Sequence, residues 1–136
     1  MSLAEKKEQA KQRQVQRTEE EKTSYVNTVS FTGNLVKDLE FNYLSSGKSM
    51  IKGRLAVWQP GGTKEQPKPT MFFDLVFWEP NAEKDGIALM ELYEQVAESE
   101  EFTKGSRIRV EGRMGMRIYQ EKPYYDITVR HIELDS

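Results

Sequence analysis

The chain has 136 residues, enough for one domain with its own core, and with no cysteine and one histidine it offers neither a disulfide frame nor a thiolate or multi-histidine metal site. No run reaches membrane-spanning length and the N-terminus lacks the apolar segment of a secretory signal, so a soluble, cytoplasmic protein is expected. The net charge of -2 averages unlike segments: residues 79–101 hold eight acidic side chains against one lysine, residues 1–23 six basic against five acidic, and the rest 13 basic against 9 acidic. With a screening length of ~8 Å, a basic face can act locally whatever the total.

Residues 1–23 are almost entirely Glu, Lys, Gln and Arg, with Leu3 and Val15 the only large aliphatic side chains after the initiator. Such a segment cannot bury enough apolar area to offset chain entropy, which predicts an arm, disordered or a solvated helix, ahead of a folded domain over 24–136. Order should begin near Tyr25, where Val29, Phe31, Gly33 and Leu35 alternate with Thr28, Ser30, Thr32 and Asn34 as in a first strand. A turn or bulge at Lys37–Leu39 and an extended Phe41–Leu44 lead into a tight connection at Ser45–Lys48. On the return strand, Met50 to Trp58, apolar Ile51, Gly53, Leu55 and Val57 alternate with Lys52, Arg54, Ala56 and Trp58.

Pro60, Gly61, Gly62, Pro67 and Pro69 make the next segment a mobile loop, carrying Lys64 and Lys68. Thr70 to Trp78 is apolar on both parities, which predicts either burial on both sides or a binding face made of rings. Asn81 can cap a helix from Ala82 to Glu98 whose inner side carries Leu89, Met90, Tyr93, Val96 and Ala97. Lys104, Gly105 and Ser106 turn into a strand where Arg107, Arg109, Glu111, Arg113, Gly115, Arg117 and Tyr119 alternate with Ile108, Val110, Gly112, Met114, Met116 and Ile118, the second set assigned to the core. A tip at Gln120–Pro123 precedes a last strand marked by Tyr125, Ile127 and Val129.

Three strands, a helix and two strands give an all-β chain with the element order of a five-stranded OB-fold barrel, its helix between strands three and four. Rings and arginines on outward parities suit a single nucleic-acid strand. Arg54, Lys104, Arg107, Arg109, Arg113 and Arg117 can neutralise phosphates, while rings stack on bases without reading sequence.

Asn27, Val29, Gly33, Asn34, Leu35, Lys37, Asp38, Glu40, Tyr43 and Gly47, then Leu55–Ala56, then Lys104–Ser106 with Val110–Gly112, give the chain three blocks in register. From Tyr25 to Leu134 it resembles the bacterial single-stranded DNA-binding protein family. That resemblance implies stacking rings at Phe72, Trp78 and Tyr119, with Trp58 near a fourth. It also implies sequence-tolerant coating of unpaired DNA in replication, recombination and repair, a nucleoid-associated protein, and a homodimer through strand one by Thr28, Ser30 and Thr32, extendable to a homotetramer. The sequence departs from the family at Asp74, where an arginine is common, and at Phe73, often a histidine at the tetramer contact. It ends at Ser136 without the acidic-tipped tail that recruits replication and repair proteins. A more distant resemblance is to the tail-less, dimeric primosomal PriB proteins, through Gly105–Ile108 and Ile132–Ser136.

Two other classes weigh against this reading. A protein-interaction OB module would bury Phe72 and Trp78 on a partner chain, and its affinity would resist salt. An oligosaccharide binder would use the rings and leave the arginines unexplained. Gly47-Lys48-Ser49 ends like a phosphate loop, yet Asn42 stands where its first glycine belongs and no helix follows. His131 has no nucleophile partnered with it in a recognisable pattern. No catalytic residue, metal or cofactor is assigned.

Overall fold

The structure, a computed structural model, describes residues 2–9 and 26–135. Of the expected N-terminal arm, residues 3–9 form exposed helical turns (α1), while residues 1 and 10–23 lie outside the described residues. The body comprises β1 (Val29–Leu35), β2 (Glu40–Tyr43), β3 (Ser49–Val57), β4 (Met71–Trp78), α2 (Ala82–Asp85), α3 (Ile87–Glu98), β5 (Arg107–Tyr119) and β6 (Lys122–Leu134). β1, β3, β4, β6 and β5 pair in that order and close back on β1, with β4–β6 the one parallel pair. This is the expected OB-fold barrel, with its main helix between β4 and β5.

Six strands replace the expected five because the first is broken between Leu35 and Glu40. There the ladder runs out: Val36 N–H still donates to the Arg54 carbonyl in register with β3, but Leu39 N–H turns to the Phe102 carbonyl. The Asp38 carboxylate accepts the Lys104 N–H at 2.7 Å, tying the break to the turn before β5. β2 then continues only as a partner of β3.

Inward parities converge on a core of Leu35, Ile51, Leu55, Phe73, Leu75, Phe77, Ile108, Val110, Ile127, Val129 and Ile132. Phe73 is one of them, stacked on Phe31 with ring centroids 4.8 Å apart. Gly112 packs against the Thr128 carbonyl where β6 carries a bulge, an approach that any Cβ would block.

The Gln59–Pro69 loop joins β3 and β4 as a hairpin tip, with a bridge between Gly62 and Pro67 and the Gln59 side-chain amide donating to the Pro69 carbonyl at 2.8 Å. Two local expectations need correction. The helix is not continuous: Asn81 caps it as expected, accepting from the Glu83 and Lys84 N–H groups at 2.9 and 3.2 Å, but Gly86 adopts φ +95° and separates α2 from α3. Met116 and Ile118, assigned to the core by parity, are exposed. β5 and β6 run past the barrel as a two-stranded arm, and beyond Met114 the inward parity has no opposite wall to meet. The arm turns on Gln120 and Glu121 alone, both at positive φ.

Candidate nucleic-acid interface

A strand directs alternate side chains to one face, so the pairings of β3, β4, β6 and β5 define rows across the outside of the barrel. Lys52, Val76, Thr128 and Arg113 form one row, and Arg54, Asp74, Asp126 and Gly115 the next. Ala56 opposes Phe72, Met50 opposes Trp78, and on the arm Arg117 opposes Tyr124 and Tyr119 opposes Lys122. The rings on this face are open to solvent: Phe72 is 49 % exposed, Trp78 48 % and Tyr119 61 %. Phe72 and Trp78 lie six residues apart on one parity of β4, about 20 Å along the strand. Trp58, 73 % exposed, follows β3 on the parity of Lys52 and Arg54. Of the two readings of the apolar β4, the structure has one face in the core and the other presenting rings.

The charges here are paired in a way no spacing reveals. Asp74, central on β4, accepts from Arg54 at 3.1 Å and from Arg117 at 3.5 Å. Each of these arginines also lies over a ring, Arg54 at 5.3 Å from the Phe72 centroid and Arg117 at 6.0 Å from that of Tyr124, both within cation–π range. Beside them a cleft of about 200 Å³ is lined by Lys37, Lys52, Asp74, Arg117 and Asp126, and another of about 420 Å³ opens on the arm at Arg117, Ile118, Tyr119 and Tyr124. Asp126 has no ion pair among the described residues, and its carboxylate covers Gly115. Arg113 has none either.

Other candidates stand elsewhere. Arg107 and Arg109 oppose Asn34 and Thr32 on the wall shared with β1. Each is engaged by a carboxylate, Arg107 by Asp135 at 2.7 Å and Arg109 by Glu111 at 2.8 Å. Lys104 is exposed in the turn that Asp38 holds. The structure therefore brings together Arg54, Trp58, Phe72, Trp78, Arg113, Arg117 and Tyr119, and places Lys104, Arg107 and Arg109 outside that group. Sequence reasoning misses Tyr124 and Lys52 as site residues. The signal for Tyr124 is its place just after the β5 turn, which sets it opposite Arg117 once the arm is seen to be a hairpin.

The cleft between β2 and α3 has the opposite character. Phe41, Tyr43, Met90, Tyr93 and Ala97 line this cleft of about 370 Å³ rimmed by Glu79, Glu94 and Glu98. At its floor Tyr93 and buried Ser49 share a hydrogen bond of 2.6 Å, and the Ser49 hydroxyl donates to Glu79 at 3.1 Å. Burial pushes the Tyr93 phenol above its usual range, and nearby Glu79 and Tyr43 add to this while the Ser49 bond opposes it. Carboxylates on this side repel a polyanion, which leaves the ring face as the one suited to it.

Among the described residues no helix is long and apolar enough to cross a membrane. No curated protein matches the chain. The sequence model of the single-strand binding protein family, a non-enzymatic DNA-binding family, matches residues 26–135. That span holds every strand of the barrel and the whole ring face, and by it the chain belongs to the single-strand binding protein family, whose common property is to bind single-stranded DNA.

Proposed function

We propose that the protein coats and protects unpaired DNA during replication, recombination and repair, using the outer face of β3, β4, β6 and the β5–β6 arm. Bases stack on Phe72, Trp78 and Tyr119, with Trp58 at the loop edge, and phosphates meet Arg54, Arg113 and Arg117. The carrying observation is that Phe72 and Trp78, two rings on one strand face, stand half-exposed beside guanidinium groups. A soluble monomer leaves such rings uncovered where a ligand takes them up, and stacking contributes roughly 1 to 3 kcal/mol per base whatever its identity. Lys104, Arg107 and Arg109 serve a strand long enough to pass round the barrel.

Several barrels acting together cover a strand better than one, because a single barrel spans only ~4 to 16 nucleotides. β1 supports a homodimer: from Val29 to Gly33 it pairs with β5 alone, which leaves its other edge open beside the small Ser30 and Thr32. The protein then acts in the cytoplasm on the nucleoid, with residues 1–23 as a separate charged arm.

The test uses the only two tryptophans, Trp58 and Trp78. Their emission should be quenched on adding oligothymidine, less so as salt rises, and far less by duplex. Affinity that salt does not move would favour a protein-interaction surface instead, and no quenching with no binding would end the proposal.

A further inference from the structure

We infer that Asp74 is a selectivity residue: by holding Arg54 and Arg117 as an internal counter-ion, it makes binding on this face depend on exposed bases and not on phosphate charge alone. The inference rests on the single-strand reading above and says how that face rejects other polyanions.

One carboxylate engages two guanidinium groups, at 3.1 and 3.5 Å, and both groups lie over rings. A phosphate that recruits Arg54 or Arg117 must displace Asp74, exchanging one anion for another at the same donors. Little is gained by the exchange, and the displaced carboxylate stays on the face, where it repels the incoming strand. Fewer small cations or anions are released than a free pair of arginines would give. Net affinity then has to come from the rings. A single strand supplies base faces to Phe72, Trp78 and Tyr119. A duplex brings the same phosphates with its bases already stacked on one another, so it meets the unfavourable exchange without the compensation.

Asp126 is the internal comparison. It neighbours Asp74 across the parallel pairing of β4 and β6 and carries the same charge, but it holds no arginine among the described residues. Neutralising it changes the face by one unit of charge and frees no guanidinium group.

Wild type, Asp74→Asn and Asp126→Asn are titrated with oligothymidine and with a mixed-sequence duplex over a series of salt concentrations. Asp74→Asn should tighten duplex binding about ten-fold and oligothymidine binding about three-fold at low salt, and steepen the salt dependence of both. Asp126→Asn should change both ligands alike, by about two-fold or less. An Asp74→Asn protein with an unchanged or higher preference for single strands, or an Asp126→Asn protein that shifts the preference as far, would overturn the inference. Failure of the wild type to bind oligothymidine would remove the underlying reading along with it, a result distinct from either.

Discussion

Trp78 and Phe72 are the residues on which the proposed interface turns, since each is half-exposed on β4 while its neighbour Phe77 or Phe73 lies in the core. Their removal should therefore separate binding from folding. Trp78→Ala and Phe72→Ala are each expected to weaken oligothymidine binding by about 5- to 150-fold, the equivalent of ~1 to 3 kcal/mol per stacked base, with little change in Tm. Phe73→Ala should do the reverse in kind, costing about 3 to 5 kcal/mol of stability because it opens a cavity beside Phe31. The alternation of side chains along β4 is enough to make this division legible. The contacts of Asp74 are not legible in that way, because they need the register of three strands to be known at once.

At the scale of elements, α3 and β3 are joined through one buried polar link, Tyr93 to Ser49 to Glu79. The raised Tyr93 pKa means that the folded state favours the neutral phenol, so its contribution is complete below the ordinary tyrosine range near 10 and is lost as pH rises through the higher folded value. Tyr93→Phe is expected to cost about 1 kcal/mol at neutral pH and to flatten the fall in stability above pH ~10, as read by denaturant unfolding across that range. Alternation of residue type locates β3, β4 and the first half of β5. It fails for Met116 and Ile118, since a periodic pattern tells which side chains share a face and not where the barrel beneath that face ends. Likewise the predicted helix runs straight through Gly86, where a positive φ breaks it ahead of the apolar positions, all of which lie in α3.

For the molecule as a whole, charge is divided by region, with arginines and lysines beside the rings of β4 and the arm and carboxylates around the cleft between β2 and α3. The low net charge conceals that division, and counting charge by segment recovers it. Arg107 and Arg109 lie on the β1 wall, away from the ring face. Replacing both with alanine should leave affinity for short oligothymidines within about two-fold and weaken binding of long ones more, the loss shrinking as salt rises. Equal losses at every length would place these two arginines in the primary path.

The central claim, that an unpaired strand lies along the outer face of β4 and the arm, is met most directly by ultraviolet cross-linking of oligothymidine to the full chain with the attached residues mapped by mass spectrometry. Cross-links should fall on Phe72, Trp78 and the arm tyrosines Tyr119 and Tyr124, with Trp58 beside them. Cross-links confined to Phe41, Tyr43 or the acidic side would contradict it.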